Sequence, residues 1–236
     1  MPFTPSNYKR VHYFLVLIFL MVSCDKGIFE SGIKEGVIEY RIEYPDLGDD
    51  HVMMDLLPKK MEMTFKDGEF RNEISAGMGL FKTSIIREKE NQKLIHTIKL
   101  LNKKLASELN SGDIDVMNAE FNELEFAPSS NTKEIAGYTC QEVIATVKED
   151  SVWEFKLYFT DEINIPEPNY MNPFEDIKGV LMQYEMISHD LHMLFVAESV
   201  HKKEIERDDI LLADDYTMVS PENLKTELDA IFEKVK

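Results

Sequence analysis

Cysteine is nearly absent from this 236-residue chain, which has two, Cys24 and Cys140. A Cys-rich zinc site needs more thiolates than that, and a single disulfide would use up both residues. Basic residues are also scarce. Lysine and arginine total 26 against 44 aspartates and glutamates, for a formal net charge of −18. Nucleic-acid phosphates are bound by basic faces, so no nucleic-acid partner is expected. Anionic lipid headgroups would repel the same surface. Long apolar runs are missing, the longest being the ten residues Tyr13–Val22, about half of what an α-helix needs to cross a bilayer. Catalytic signatures are missing as well. There is no G-x-S-x-G, the strand–turn–helix mark of a serine nucleophile. Gly77-Met78-Gly79 lacks the third glycine and the βαβ setting of a dinucleotide site. Carboxylates are so numerous that no pair of them marks an acid–base couple. The expectation is no catalytic residue, no metal, no cofactor and no enzyme activity.

What is present at the N-terminus is an ordered series. Lys9 and Arg10 form a basic start, the apolar run follows, and Met21-Val22-Ser23-Cys24 closes it with a small residue before a cysteine. That order describes a secretory signal. Ending on Ser-Cys, it also resembles the lipobox of bacterial lipoproteins. The resemblance implies cleavage before Cys24, a thioether-linked diacylglyceryl group on that cysteine, and acylation of its amine. The expected organisation is a signal peptide over 1–23, a lipidated tether over 24–34, and one antiparallel β domain with a C-terminal helix over 35–236. Loss of Lys9 and Arg10 with the signal takes the net charge from −18 to −20. Contact with the membrane then rests on the acyl chains, at roughly 0.8 kcal/mol per buried methylene. The implied location is the cell envelope, periplasm-facing or surface. Cys140, without an intrachain partner, reads as a buried thiol.

From residue 36 the chain alternates. Ile38, Tyr40, Ile42 and Tyr44 share one parity while Glu39, Arg41 and Glu43 share the other, the mark of a half-buried strand. Met61, Met63 and Phe65 continue the pattern, and Asp67-Gly68 turns it into a hairpin with 69–75. Further hairpins are expected for 82–87 with 93–98, 139–148 with 152–159, and 180–187 with 191–201. Residues 99–110 fit either a helix face of Leu101, Leu105 and Leu109 or a strand. Residues 127–133, with Pro128, Ser129, Ser130 and Asn131, read as a loop, as does the proline-rich 164–176. Ser220-Pro221 marks a helix start, and Leu224, Leu228, Ile231 and Phe232 follow at helical spacing. This amphipathic helix needs an apolar surface to cover, and one face of the sheet is the candidate.

The stretch Lys133-Glu134-Ile135-Ala136-Gly137-Tyr138-Thr139-Cys140 resembles the K-x-I-x-G-Y-x-C signature of GLPGLI-type and related cell-envelope domains of unknown function. Tyr158-Phe159-Thr160-Asp161-Glu162-Ile163 resembles their W-Y-T-x-E-I. Gly179 with Val180-Leu181 stands where those proteins carry the G-L-P-G-L-I motif, and 200–205 with 215–218 match the closing segment. The similarity runs from residue 33 to about 226. It implies a mainly β (α+β) fold like that of LolA and LolB. In that fold a curved antiparallel sheet forms a half-barrel around an apolar cavity, with helices over the open side.

Candidate cavity residues are the methionines Met61, Met63, Met182 and Met186, whose flexible thioethers suit adaptable apolar pockets, and the aromatic strand face Trp153, Phe155 and Phe159. His189, His192 and His201 lie close in sequence but lack the further ligands of a metal site. The functional expectation is a membrane-anchored lipoprotein that binds a lipid or other hydrophobic or amphiphilic ligand without catalysis. The alternative is a structural module with a filled interior, serving envelope protein partners. Replacing Cys24 by Ser should abolish labelling by a palmitate analogue, and equal labelling of variant and wild type would rule out the anchor.

Overall fold

Two-residue alternation carries most of the chain into strands. The computed structural model describes residues 32–48, 54–121, 123–148 and 152–233. The expected signal peptide, Cys24 and the tether as far as Ser31 lie outside the described residues. The elements are β1 (Glu35–Glu43), β2 (Lys60–Lys66), β3 (Glu69–Ala76), β4 (Phe81–Glu88), β5 (Lys93–Leu100), β6 (Lys103–Leu109), α1 (Ser111–Met117), β7 (Leu124–Ile135), β8 (Tyr138–Lys148), β9 (Val152–Thr160), β10 (Val180–Ser188), β11 (Leu191–His201), β12 (Thr217–Met218) and α2 (Pro221–Phe232). The twelve described strands form one sheet in the order β12-β6-β5-β4-β3-β2-β1-β11-β10-β9-β8-β7. Neighbours run antiparallel, except that two-residue β12 lies parallel to β6. The hairpin turns Asp67-Gly68, Ala136-Gly137 and His189-Asp190 have positive φ at both residues, as the turn that matches strand twist requires. Before β1, Ile33 already joins the body through a parallel bridge to Ile163.

The sheet is open and must curve. β6 and β7 are consecutive strands, yet ten strand spacings separate them, about 48 Å if the sheet were flat. The segment between Leu109 and Leu124 holds the seven-residue α1, so its reach is about 40 Å at most. Curvature brings the two ends within range. Both helices lie on the concave face: Ile114 of α1 packs on Leu94 and Leu109, while Leu224 and Leu228 of α2 pack on Phe81 and Ile98. The chain from β11 back to β12 crosses the opposite face. There Ile205, Ile210, Leu212 and Tyr216 cover Val37, Ile86, Ile95 and Ala106.

Three local outcomes differ from the sequence reading or decide it. Residues 103–109 are a strand, with Leu105 opposite Ile98 and Leu109 opposite Leu94, and Leu101 sits in the preceding turn with φ 54°. A four-residue spacing of leucines is nearly commensurate with both the strand and the helix period, which is why the pattern alone could not choose. The loop expected over 127–133 is instead part of edge strand β7, whose register slips between Pro128 and Thr132. Proline and a bulge are what an edge strand uses to block further pairing. Helix α1 was not anticipated. It is started by a reciprocal capping box, in which Asn110 Oδ1 accepts from Asp113 N (3.2 Å) and Asp113 Oδ2 accepts from Asn110 N (2.9 Å). Seven residues are too few to display a helical period.

Glu142 pins the bulge of β7. Its carboxylate accepts from Tyr158 Oη (2.6 Å), Asn131 Nδ2 (2.9 Å), Ser129 Oγ (2.9 Å) and Lys156 Nζ (3.2 Å). These bonds, led by that of Tyr158, hold its pKa down from an ordinary 4.5 to about 2. A depressed folded-state pKa gives stability that is complete above pH 4.5 and drains away as pH falls towards 2. Urea unfolding of wild type should therefore weaken across that window, and Glu142→Gln should have lost that part of the slope. Parallel pH profiles would mean the carboxylate contributes nothing to the fold.

Candidate functional site

Register places the side chains of the concave face in rows that run across the strands. One row is Ile38, Met63, Asn72, Ile85, His96 and Ser107. The next is Tyr40, Met61, Ile74, Thr83 and Ile98. A third runs Phe65, Phe70, Arg87, Leu94 and Leu109. Polar residues thus stand at positions whose parity is otherwise apolar.

Above these rows lies an apolar chamber of about 240 Å³. Its floor is Met61, Phe70, Asn72, Ile74, Phe81, Thr83, Ile85, Leu94 and His96 from β2–β5. One wall is Tyr184, Met186, Leu191, Met193 and Phe195 from β10 and β11. Its roof comes from α1 (Ile114, Met117), the 170–174 segment (Tyr170, Met171, Phe174) and α2 (Leu228, Phe232). A larger hollow of about 660 Å³ adjoins the chamber between α1, α2 and the 188–190 turn, and the two share His96, Met117, Ser188, His189, Leu228 and Phe232. A cleft of about 30 Å³ lies beside Met63, Asn169 and Val180.

The proline-rich segment is held over the sheet by Arg87, whose side chain is 5 % exposed. Its Nη1 donates to the carbonyls of Pro166 (2.8 Å) and Glu167 (2.9 Å), its Nη2 pairs with the Glu167 carboxylate, and its guanidinium stacks 4.3 Å above the ring of Tyr170. Asn169 Nδ2 closes the segment on itself by donating to Ile177 O (2.7 Å) and Gly179 O (3.0 Å). At Gly179 a Cβ would stand 2.4 Å from Phe159 Cδ2 and 2.6 Å from Thr160 O, so only glycine lets this backbone approach β9.

Within the chamber Tyr184 stacks on Phe195 at 4.9 Å and points its hydroxyl at Met61 Sδ, 3.8 Å away. Burial pushes that phenol well above its ordinary pKa. His96 Nε2 lies 2.9 Å from Thr83 Oγ1. Protein surrounds the His96 ring although it touches the cavity, and this desolvation, with the nearby His189 as the second cause, lowers its pKa to about 4. It is neutral at neutral pH. At the mouth His189 stacks on Phe232 at 4.6 Å and faces Asp229 Oδ1 at 3.3 Å.

Of the residues singled out from sequence, Met61 and Met186 line the chamber, and Met63 lines the small cleft. Met182 is wholly buried in the main core. Trp153, Phe155 and Phe159 belong to a separate apolar cluster with Phe121, Leu157 and Phe174. The three histidines go to different partners: His189 to Asp229, His192 to Glu185 and Asp46, and His201 to Ser199. Among the described residues no group of three His, Cys, Asp or Glu side chains could hold a metal ion. Cys140 is buried, with its thiol pushed up to about 11 by desolvation. Asn72, Thr83 and His96 escaped the sequence reading. Their signal was a polar residue at an apolar-parity position, as with His96 between Leu94 and Ile98.

No protein-family model matches the chain, and no curated protein does. Solved structures of PNGF-II are similar in fold. The form in space group P21 aligns with 14% identity and a TM-score of 0.50, covering 82% of this chain and 33% of that one. The C2 form gives 14% identity, a TM-score of 0.49, and coverage of 81% and 32%. The chain therefore spans about a third of the length of PNGF-II, and at this identity the likeness is one of fold alone. Among the described residues no helix is long and apolar enough to cross a membrane.

Replacing Arg87 by Met should release the roof. The loss of its hydrogen bonds to buried carbonyls should cost about 1–3 kcal/mol, and hydrogen exchange at 166–172 should accelerate before global unfolding. Unchanged protection there would mean that other contacts hold the roof.

Proposed function

We propose that the chain is a lipid-anchored envelope lipoprotein of the GLPGLI-related kind. Its curved sheet acts as a LolA/LolB-like half-barrel that takes up a hydrophobic or amphiphilic ligand without performing chemistry on it. One observation carries this reading: the apolar chamber of about 240 Å³ and the adjoining hollow of about 660 Å³. Protein interiors normally pack like organic crystals, whereas ligand sites are concave, mostly apolar volumes of roughly 300–1,000 Å³ with a few polar groups. The hollow also weighs against the alternative of a structural module with a filled interior.

Several features support the reading. The Ser23-Cys24 order supplies an anchor at the membrane, where apolar ligands reside. Gly137 and Gly179, both in the motif-like stretches, occupy positions with clear backbone demands: a hairpin turn at φ 83° and a close approach to β9. Methionines line the chamber as Met61, Met117, Met171, Met186 and Met193, an adaptable wall for ligands of variable shape.

The uncharged hydrocarbon probe diphenylhexatriene should bind the full-length Cys24→Ser chain saturably, with enhanced fluorescence. Met186→Glu, which puts a charge in the wall, should weaken that binding about tenfold or more while leaving the thermal transition cooperative. Absence of saturable binding would favour the structural-module reading.

A further inference from the structure

We infer that the tips of the β3–β4 and β5–β6 hairpins form a membrane-docking edge, whose exposed apolar side chains enter a phospholipid bilayer while the lysines beside them meet the lipid phosphates. The starting observation is where large apolar side chains face water. Met78 is fully exposed, and Leu80 and Leu101 are more than half exposed. The three belong to neighbouring turns, joined by the hydrogen bond that Leu101 N donates to Leu80 O at 2.8 Å. Turns are ordinarily built from small and polar residues. Those at the other end of the same strands are polar, with Asp67-Gly68 and Lys89-Glu90-Asn91-Gln92. Met78 and Leu101 also stand at φ 55° and 54°, left-handed positions that glycine or asparagine takes at less cost. Met78 packs on nothing, so the fold does not account for a methionine there.

Charge around these tips is the reverse of the chain's. Neither 74–87 nor 91–107 contains an aspartate or glutamate, in a chain that has 44. Next to the turns these segments carry Lys82, Lys99, Lys103 and Lys104. Lys82 stands directly opposite Lys99, and Lys99 opposite Lys104, an arrangement that costs stability in a sheet. Lys82, Lys103 and Lys104 are paired with carboxylates from outside the two segments, those of Glu73, Glu227 and Asp215. Lys99 has no ion pair among the described residues. A lysine lays its stem along apolar surface and keeps its ammonium in the polar layer, which at a bilayer is the level of the phosphates.

Size selects the partner. Three side chains fall far below the roughly 800 Å² per partner of a stable protein interface. A bilayer needs no matching surface, and apolar side chains beside basic ones suit its boundary layer. This contact goes beyond the ligand site and is separate from an anchor at the N-terminus. Strand β1 starts at the other end of these strands, with Glu35 opposite Lys66.

The test places the environment-sensitive dye NBD on Met78→Cys in the full-length Cys24→Ser chain, where Cys140 is buried and stays unlabelled. A second sample carries the dye on Asn91→Cys, in the opposite turn. On vesicles of phosphatidylethanolamine and phosphatidylglycerol, the dye at 78 should shift to the blue and brighten several-fold. The dye at 91 should stay as in water. The readout is local, so binding through the apolar run 13–22 does not reproduce it. Leu80→Ser combined with Leu101→Ser should raise the vesicle concentration for half of the response at 78 about tenfold, with the thermal transition still cooperative. Lys99→Glu should raise it as well, and carries the test should the leucine variant fail to fold. An equal response at 78 and 91, or a folded leucine variant that responds as the parent does, would overturn the inference. An unchanged Lys99→Glu curve would overturn the lysine contact. No response at 78 would overturn the bilayer as partner and leave the tips to a protein.

Discussion

The link between β6 and β7 sets the shape of this molecule. Strands that are neighbours in sequence stand near opposite ends of a twelve-stranded sheet, and the chain between them is too short to cross a flat one. The sheet must close upon itself far enough for that link to reach, which gives it one concave face of large apolar area. The material left to cover this face is modest: a seven-residue helix, a twelve-residue helix and one proline-rich segment. Such a cover touches the rim and the middle, and the space it does not fill is the hollow. The cavity thus follows from topology together with an economy of covering elements.

The two surfaces of the sheet solve different problems. On the convex face the 202–216 crossing lays isoleucines over isoleucines, with its own charges reaching back to the strands: Arg207 forks onto Glu69 at 2.7 and 2.8 Å. The crossing thereby buries Val37, Ile86, Ile95 and Ala106. On the concave face the polar groups are few and individually placed, and Arg87 turns its Nη1 and Nη2 donors to the roof. A strongly acidic chain thus encloses a chamber whose lining holds no lysine, arginine, aspartate or glutamate.

How much of this was legible in sequence depends on the length scale of each signal. Strands announced themselves, because Ile38-Tyr40-Ile42 or Met61-Met63-Phe65 repeat every two residues over a full element. The start of α2 was legible in Ser220-Pro221, and the N-cap hydrogen bond from Asn223 N to Ser220 Oγ at 3.3 Å is formed. Helix α1 hid because seven residues hold two turns and its capping box uses Asn and Asp rather than Ser and Glu. Edge strand β7 hid because the residues that protect an edge are the residues that fill loops. The site was legible only in part. Composition pointed to methionines, and Met61 and Met186 do line the chamber. Which apolar strand face borders the cavity and which borders another packed segment is decided by Phe121 and Phe174, and these arrive from connections that carry no period. The row of Asn72 and His96 is visible only once cross-strand register is known.

The order of the chain has one more consequence. Strand β12 adds to β6, and α2 folds over Phe81 and Ile98, so residues 217–232 complete contacts with strands that lie far earlier in the chain. Contacts of such long sequence separation form slowly, because loop-closure entropy must be met first. Without α2 the part of the concave face around Phe81 and Ile98 would stand uncovered. Docking of α2 is therefore expected late in folding, after the strands it covers have paired.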